Sequence, residues 1–410
     1  MAVTRHRISP SIEAQSLIIP AVRQACDVAR AAGGEGRLVG GIVRDWLLGR
    51  DLGDYDMAVT VPIADFMAQA RAQNITIIET GLAHGSVTLR YDGINVEVTQ
   101  TRADIETDGR HATIGFTPSF EEDAKRRDFT INAIYLDEDG TVHDPLDGMA
   151  DLKAGHISFI GDAALRITED YLRILRFIRF GATLEGFVLD AQDLTALAPH
   201  FGGLSDLSGE RIIHELQKLF GGANWPYAVS AMQDIGLDKA LFGDAFYPPH
   251  RLYEMFDGWQ VVAASCLTPL AGDAMHNLPF SRSDKAMITA LLAPLTEAEM
   301  QALQGDHWHE VAHYGGAHFY QRCLVQSRHH TVSLAQNRLQ EIENFTPPPC
   351  PVTGHDLQEA GVPAGPLLGA LLRTAEAHFV KASYRSDKAE LLAKLRPQID
   401  KINEEEAANR

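Results

Sequence analysis

The chain has little cysteine and no long apolar run. Its four cysteines lie far apart among 410 residues, without a CxxC pair or a His/Cys cluster at zinc-ligand spacing: Cys26, Cys266, Cys323 and Cys350. A disulfide framework is therefore not expected, and the cysteines are predicted to be reduced thiols of a cytoplasmic protein. The N-terminal segment lacks the continuous apolar stretch of a secretory signal. No run of about 18 apolar residues occurs, so a membrane-spanning helix is not expected.

Basic residues are also scarce. The sequence has 36 Lys and Arg against 55 Asp and Glu, for a formal net charge of -19. This balance disfavours broad binding to nucleic acid, because phosphate contacts need Lys and Arg. Net charge does not fix local charge, however, and a small basic stripe on an acidic protein can still hold RNA. The histidines form no recognisable metal-binding pattern.

What the chain does contain changes character near residue 150. Before that point short β-rich runs alternate with helical ones, at Arg37–Val39, Asp56–Val59, Ile75–Glu79, Gly85–Arg90, Ile94–Thr99 and Ile131–Leu136. The dipeptide Asp92-Gly93 predicts a hairpin turn between two of these strands. After residue 150 helical periodicity dominates, and Gly209–Phe220 is a clear amphipathic helix that would start at a Ser208 cap. These patterns predict an α+β protein with an α/β head and an all-α remainder.

A glycine pair stands between a predicted strand and a predicted helix. Gly40 and Gly41 would let the backbone approach a ligand closely, and the helix N-terminus would direct amide donors towards an anion. Arg44, in the first turn of that helix, could add a charge-assisted bond to a phosphate. A plain strand-to-helix turn is the alternative interpretation.

Two carboxylates follow at the start of a strand, Asp54 and Asp56. Residues i and i+2 of a strand share a face, so both carboxylates point to one side. Two convergent oxygen ligands suit Mg²⁺ in phosphoryl or nucleotidyl transfer. Glu97, on a strand that could lie beside Asp56, is a possible third carboxylate. The alternatives are a solvated loop edge for the pair and a surface strand position for Glu97.

Arginines recur further along the chain. Arg126 and Arg127 precede a predicted strand and are candidates for phosphate and ribose contacts, although a basic surface turn would look the same. In the predicted helix Glu169–Ala182, charged side chains recur every three residues and so lie along one stripe. The members of the stripe are Asp170, Arg173, Arg176 and Arg179. A solvated helix face with an Asp–Arg pair is the alternative.

These motifs together resemble the class II family of bacterial CCA-adding enzymes (tRNA nucleotidyltransferases) and poly(A) polymerases. The likeness lies in Gly40–Asp45 followed by Asp54–Asp56, in Arg126–Ile134 and in Glu169–Arg173. Gln100 and Thr101 depart from the family's usual Thr and Phe. The resemblance implies a nucleotidyltransferase head with a mixed β-sheet at residues 1–150, a helical neck at 151–225, a helical body at 226–345 and a tRNA-binding tail at 346–410.

The resemblance also implies an activity. It is the template-independent addition of C, C and A to the 3′ end of tRNA from CTP and ATP, with Mg²⁺ as cofactor and no obligatory protein or membrane partner. The catalytic carboxylates would be Asp54, Asp56 and Glu97, of which Asp54 and Asp56 would bind the metal. The nucleotide-binding residues would be Gly40, Gly41, Arg44, Arg126, Arg127, Asn132, Asp170, Arg173, Arg176 and Arg179. The alternatives are a poly(A) polymerase, an enzyme that adds only part of CCA, and a non-catalytic RNA-binding protein.

Two of these residues, Asp170 and Arg173, would act as a protein template for the base. Cytosine and adenine each present an amino donor beside a ring-nitrogen acceptor, which a carboxylate and a guanidinium can match. Uracil and guanine reverse both partners, and each buried polar group left unpaired costs about 1–3 kcal/mol. Helix Gly209–Phe220 would support this base-reading helix.

The segment Ala103–Phe120 is long, polar and poor in apolar residues. Such composition predicts a mobile loop, and long loops in compact domains are often functional. In the resembled family a loop at this place helps the base pocket change from C to A.

Overall fold

A computed structural model gives the fold of the chain in two units. The residues it describes are 4–6, 17–79, 81–107, 112–243, 246, 258–267, 280–305, 307–315, 318–328, 334 and 336–408. The two compact units are Met1–Gly243 and Asp244–Arg410. The finer division into head, neck, body and tail stays a prediction.

The first unit is built on a mixed β-sheet of eight strands. The strands of the unit, in chain order, are β1 (Thr4–His6), β2 (Gly36–Val39), β3 (Tyr55–Val59), β4 (Thr76–Ile78), β5 (Ser86–Tyr91), β6 (Ile94–Gln100), β7 (Arg102–Thr107), β8 (Ala112–Phe116), β9 (Tyr135–Leu136), β10 (Val142–Asp144), β11 (His156–Ile157) and β12 (Val188–Leu189). The order across the large sheet is β1-β10-β9-β2-β3-β6-β5-β4. Every neighbouring pair is antiparallel except β3 and β6, which are parallel. This confirms the α+β fold with a mixed sheet in the head.

Helices cover this sheet and continue beyond it. Those described in the first unit are α1 (Pro20–Ala31), α2 (Gly41–Leu47), α3 (Ile63–Ala72), α4 (Phe120–Lys125), α5 (Gly148–Ala154), α6 (Ala163–Glu169), α7 (Leu172–Thr183), α8 (Ala191–Ala196), α9 (Gly209–Phe220), α10 (Trp225–Ile235) and α11 (Leu237–Phe242). The short strands β11 and β12 pair in parallel beyond residue 150. The remainder of the chain, which was predicted to be all-α, therefore also contains one pair of short strands. Strands of two residues carry no alternation that a sequence pattern could reveal.

The β5–β6 hairpin sets the two faces of the sheet. Its turn residues Asp92 and Gly93 have φ of 48° and 79°, the two positive values that a tight hairpin with matching strand twist requires. Val96 and Val98 are fully buried on the face that packs against α1. Because side chains alternate along a strand, Glu97 lies on the opposite face. The predicted hairpin is confirmed, and it leaves a carboxylate on the face away from α1.

A second hairpin occupies the segment that the sequence predicts to be a mobile loop. Strand β7 pairs antiparallel with β8, so the loop prediction is wrong for the paired residues, while residues 108–111 lie outside those described. The base of the hairpin is anchored by Thr101, a fully buried residue whose hydroxyl donates to the carbonyl oxygens of Val59 and Thr117. Backbone pairing and this anchor order the segment, and neither depends on apolar side chains.

The predicted helix Glu169–Ala182 is divided into two. Helix α6 ends at Glu169, Asp170 has an extended backbone (φ -155°, ψ 103°), and α7 begins at Leu172. The Asp170 carboxylate accepts a hydrogen bond from the Leu172 backbone N–H at 3.1 Å, a local bond that competes with continuation of the helix. The expectation that Asp170 shares one helix with the three arginines is therefore wrong.

Helix α9 follows the prediction at Gly209–Phe220. Ser208 stands at its N-cap position, but the side chain makes no capping hydrogen bond. The prediction of the helix is confirmed and that of a side-chain cap is wrong. The position of the helix is set instead by packing, since its closest neighbour is α7.

The second unit is helical in the parts that the structure describes. Its helices are α12 (Trp259–Cys266), α13 (Arg282–Leu292), α14 (Glu297–Gln304), α15 (Trp308–Tyr314), α16 (Phe319–Arg328), α17 (Gln336–Glu343), α18 (Gly354–Glu359), α19 (Pro366–Lys381) and α20 (Lys388–Ala408). The proline-rich segment at residues 346–349 falls between α17 and α18. Thr353 and Asp356 close a capping box at the start of α18. None of the helices described in either unit is apolar over the length that a membrane crossing needs.

Candidate active site

The candidate catalytic carboxylates meet on two neighbouring strands. In the parallel register of β3 and β6, Asp56 lies directly opposite Glu97, which confirms that the strand carrying Glu97 runs beside Asp56. Asp54 lies immediately before β3 and is exposed. Residues opposite each other in a sheet share a face, so Asp56 and Glu97 project to the same side.

The crowding of these carboxylates has an electrostatic consequence. Burial raises the pKa of Asp56 to about 6, and the neighbouring charge of Glu97 adds to this rise, while Arg127 opposes it. A cation placed beside them would relieve the repulsion, which fits a metal site. In the part of the chain that is described, no group of three or more His, Cys, Asp or Glu side chains gathers closely enough to hold a metal ion by itself.

A cavity of about 380 Å³ opens beside the carboxylates. It combines acidic and basic side chains, and its lining residues are Val39, Asp56, Met57, Glu97, Thr99, Arg102, Asp123, Arg126 and Arg127. A site that holds three carboxylates and three arginines is suited to a divalent ion and an anionic substrate together. The structure brings four of the predicted site residues together in this cavity: Asp56, Glu97, Arg126 and Arg127. Sequence reasoning did not identify the lining residues Thr99, Arg102 and Asp123.

Arg127 is held in place by its neighbours. Its Nη2 donates to Asp123 Oδ2 at 2.9 Å, and its Nε donates to the Tyr135 hydroxyl at 3.2 Å. Burial alone would lower the pKa of Arg127, but Tyr135 and Asp123 outweigh it and raise that pKa. A Cβ at Gly40 would lie 3.8 Å from Arg127 Nη1, and Gly40 has a φ of 81°. The turn thus passes close to the guanidinium and needs glycine there.

Arg44 is engaged inside the protein. Its guanidinium is 10% exposed and donates to both carboxylate oxygens of Asp45, at 3.0 and 2.9 Å, and to Asn132 Oδ1 at 2.8 Å. The prediction from the sequence made Arg44 a phosphate ligand and Asn132 a nucleotide ligand. In this structure the two side chains bond each other, and together they fix the glycine turn to the segment after Arg127; their role as ligands stays a prediction.

Asp128 joins the segment after Arg127 to helix α7. Its carboxylate accepts from Asn132 Nδ2 at 3.1 Å and from Arg176 Nε at 2.8 Å. Burial opposes ionisation, but Arg176 and the hydrogen bond from Asn132 outweigh it and lower the pKa of Asp128 well below its usual range. Arg179 Nε lies 2.6 Å from Glu215 Oε2 on α9. The arginine stripe is therefore not a solvated helix face, because Arg176 and Arg179 are paired with acids from other elements.

The two proposed template residues are each held by a further charged residue. Asp170 accepts from Arg211 Nη2, at 2.9 and 3.2 Å. Arg173 Nη1 donates to Glu169 Oε2 at 2.6 Å, and its Nη2 donates to the Arg126 carbonyl at 3.2 Å. The contact with the Arg126 carbonyl joins Arg173 to the arginine pair of the cavity, and the side chains of Asp170 and Arg173 are not hydrogen-bonded to each other.

Sequence reasoning missed several of these partners. They are Arg102, Asp123, Asp128, Tyr135, Arg211 and Glu215. Asp123 could have been found, since it precedes Arg127 by four residues, the spacing of an acid–arginine pair. Asp128, Arg211 and Glu215 meet their charged partners only across elements, and no local spacing points to those pairs.

The similarity to known proteins extends beyond the head. Residues 36–158 match the family described as Poly A polymerase head domain. The mouse (Mus musculus) CCA tRNA nucleotidyltransferase 1, mitochondrial, is 31% identical over 93% of this chain and 91% of its own length. A CCA-adding enzyme of Levilactobacillus brevis is 30% identical over 90% of this chain and 96% of its own.

Solved structures give the same result. The Bacillus stearothermophilus CCA-adding enzyme in complex with CTP is 26% identical and superposes with a TM-score of 0.63, over 96% of this chain and all (100%) of that one. The Thermotoga maritima CCA-adding enzyme complexed with tRNA, at 20% identity and a TM-score of 0.67 over 94% of this chain and 98% of that one, shows that the fold is shared.

Paired carboxylates on adjacent strands, a glycine turn and a set of arginines on one mixed sheet define a nucleotidyltransferase. Enzymes of this class generally use divalent metal ions. The likeness to full-length relatives covers the helical parts as well as the head. The chain belongs to the family of CCA-adding enzymes, the CCA tRNA nucleotidyltransferases.

Proposed function

We propose that this chain adds C, C and A to the 3′ end of tRNA, using CTP and ATP and releasing pyrophosphate. The observation that carries the proposal is the likeness to CCA tRNA nucleotidyltransferases over nearly the whole chain. It is supported by the cavity, which has both the carboxylates and the arginines that nucleotidyl transfer needs. The alternatives within the family are poly(A) synthesis and partial CCA addition.

Asp54 and Asp56 are the proposed ligands of Mg²⁺, with Glu97 as a third catalytic carboxylate beside Asp56. The adjacency of Asp56 and Glu97 supports this assignment, because it creates negative charge that a divalent ion would offset. When bound, the metal lowers the pKa of the attacking 3′-hydroxyl and neutralises charge on the triphosphate and the leaving pyrophosphate.

The phosphates are proposed to lie against Gly40, Gly41, Arg126 and Arg127. Arg127 is held rigidly by Asp123 and Tyr135, so little side-chain entropy would be lost when it binds an anion. We assign Arg44, Asn132, Arg176 and Arg179 to the same nucleotide site, where they act by positioning. Their contacts support this role, since each of them is bonded or paired to a neighbouring side chain within the first unit.

Asp170 and Arg173 are proposed to read the base. Arg211 fixes the Asp170 carboxylate by bonds to both oxygens, and the remaining lone pairs can still accept from an amino group. Glu169 similarly holds one end of Arg173. This arrangement would present an acceptor and a donor at defined places, which is what selection of C and A over U and G requires.

The helical regions are proposed to act as neck, body and tail, with the tail at residues 346–410 helping to grip the tRNA. The compartment is proposed to be the cytoplasm. The four cysteines are all free thiols, three of them buried, which suits a reducing environment.

The proposal is tested by supplying purified protein with radiolabelled CTP or ATP and tRNA transcripts that lack three, two or one of the terminal nucleotides. We expect two C additions and one A addition, each in order and each stopping at the complete end. Long A tails on unrelated RNA would favour a poly(A) polymerase, and addition of C alone or A alone would favour a partial enzyme. Absence of all incorporation would favour an RNA-binding protein.

Replacing Asp170 or Arg173 by alanine should relax base choice. Each variant loses one of two discriminating bonds, worth about 1–3 kcal/mol and hence roughly 5- to 150-fold in selectivity. Incorporation of all four nucleotides is measured for each variant. Asp234→Ala, an exposed acid on α10, serves as the matched control and should keep the selectivity of the unaltered chain. Unchanged selectivity in the Asp170 and Arg173 variants would contradict the template assignment.

Binding of Mg²⁺ should stabilise the protein above pH 6 and much less at pH 5. The pKa of Asp56 is raised to about 6, so its ionisation costs the folded state stability as pH rises from about 4 through 6. A cation that binds the ionised carboxylate restores the free energy of unfolding that is lost on ionisation. At ten times its Kd the ion contributes about 1.4 kcal/mol, or roughly 3–6 °C in Tm.

Thermal unfolding with and without Mg²⁺ at pH 5 and 7.5 measures this effect. Asp56→Asn should abolish the difference between the two pH values, because the asparagine no longer binds a proton. An equal Mg²⁺ effect in the unaltered chain and in this variant would mean that the ion acts elsewhere on the acidic surface.

A further inference from the structure

Arg102 lies at the junction between the cavity and the β7–β8 hairpin. It is the first residue of β7 and lines the cavity together with Asp56 and Glu97. Its backbone N–H donates to Asp123 Oδ1 at 3.1 Å. The other oxygen of that carboxylate accepts from Arg127. One buried carboxylate thus fixes the backbone of Arg102 and the guanidinium of Arg127 in the same wall.

Arg102 differs from Arg127 and Arg44 in the partners of its guanidinium. Arg127 is paired with Asp123, and Arg44 is paired with Asp45. Arg102 makes no ion pair among the residues that are described, and its Nε is buried without a hydrogen-bond partner. A buried polar group without a partner is costly, and a charged one more so.

The neighbouring cations add to this cost. Burial lowers the pKa of Arg102, and the like charge of Arg126 adds to the effect, while Asp123 opposes it; the smaller effects of Arg127 and Glu97 have opposite signs. Three cations therefore line a cavity in which Asp123 is already engaged by Arg127 and Tyr135. Such a group is stabilised most by a multivalent anion, which the proposed function supplies as the triphosphate of the incoming nucleotide.

We propose that Arg102 binds the triphosphate of CTP and ATP directly, as a third cation beside Arg126 and Arg127. The inference rests on the proposed nucleotidyl transfer and deepens it by adding a substrate-binding residue. The planar fork of Arg102 can donate two parallel bonds to phosphate oxygens, whereas a lysine offers a point charge. Because Arg102 is also the first residue of the hairpin, the same contact ties the bound phosphates to the start of β7.

The test compares the full chain with Arg102→Gln and Arg102→Lys. The KM of CTP and of ATP is measured on tRNA acceptors, and inorganic pyrophosphate is used as an inhibitor to probe the phosphate site without a base or ribose. Loss of one charge-assisted contact predicts a rise of about 10-fold or more for Arg102→Gln in both KM values and in the Ki of pyrophosphate. For Arg102→Lys, the KM values and the Ki of pyrophosphate should lie between those of Arg102→Gln and those of the unaltered chain.

A purely structural role of Arg102 gives a different pattern. If the residue only supported the hairpin, kcat would fall while the Ki of pyrophosphate stayed unchanged, and that result would overturn the proposal, as would unchanged KM and Ki. Arg71→Gln, an exposed arginine on α3, is the matched control and should leave both constants unaltered. If Arg102→Gln does not fold, as judged by circular dichroism, Arg102→Lys supplies the same comparison. Failure of the unaltered chain to incorporate nucleotides would count against the proposed function instead.

Discussion

Replacing Asp56 by asparagine should lower CTP and ATP incorporation by on the order of 10³-fold while the protein stays folded. Metal ligands contribute several kcal/mol of charge stabilisation in the transition state, and each 1.36 kcal/mol is a factor of about ten in rate. Asparagine keeps the size of the side chain but lacks the charge that draws the metal. Single-turnover incorporation on a tRNA that lacks the terminal A measures the loss directly.

The same substitution separates catalysis from stability. Because Glu97 and burial disfavour the ionised Asp56, a neutral asparagine removes repulsion, and the Tm of Asp56→Asn without metal should equal or exceed that of the unaltered chain at pH 7.5. Asp92→Asn, in the β5–β6 turn where asparagine also tolerates positive φ, is the matched control and should retain full activity. Near-normal turnover of Asp56→Asn with Mg²⁺ would show that the metal assignment is wrong.

Replacing Asp128 by alanine should destabilise the first unit by about 3–5 kcal/mol. The substitution removes the carboxylate that accepts from both Arg176 and Asn132, and it leaves the partly buried Arg176 with only a long contact of 4.0 Å to Glu215. Breaking a buried ion pair from one side costs far more than the pair contributes as a whole, since the remaining charge is uncompensated. Urea unfolding followed by fluorescence measures the change, and a loss below about 1 kcal/mol would contradict it.

Two comparisons sharpen this result. Glu122→Ala breaks an exposed pair with Lys125 and should cost less than about 1 kcal/mol. The double variant Asp128→Ala, Arg176→Met should be more stable than Asp128→Ala alone, because no buried charge is left unpaired.

The pKa of Asp128 is lowered in the folded state, so its stabilisation is present above pH about 4 and is lost as pH falls below that value. The difference between the unaltered chain and Asp128→Ala should therefore shrink in acid.

Local patterns predicted the elements well where one element carried the whole signal. The Asp92-Gly93 turn and helix α9 followed from turn chemistry and from 3.6-residue periodicity. The errors arose where a local rule competed with another bond. Composition indicated a loop at residues 103–120, but backbone pairing and the Thr101 anchor made a hairpin. Periodicity indicated one helix through residue 170, but the Asp170 side chain bonds the Leu172 N–H and ends it.

By itself the sequence determined the α+β class, the identity of the motifs and the carboxylates, glycines and arginines that are candidates for the site. These depend on spacings of two to four residues, which helix and strand geometry fix directly. Only the tertiary structure decided which charges meet. Asp128 reaches Arg176 across 48 positions and Asp170 reaches Arg211 across 41, and these pairings require sheet register and helix packing that no local pattern contains. For the same reason the sequence named Arg44 and Asn132 as ligands, while the fold bonds them to each other and, among the described residues, gives the Arg102 guanidinium in the cavity no ion pair.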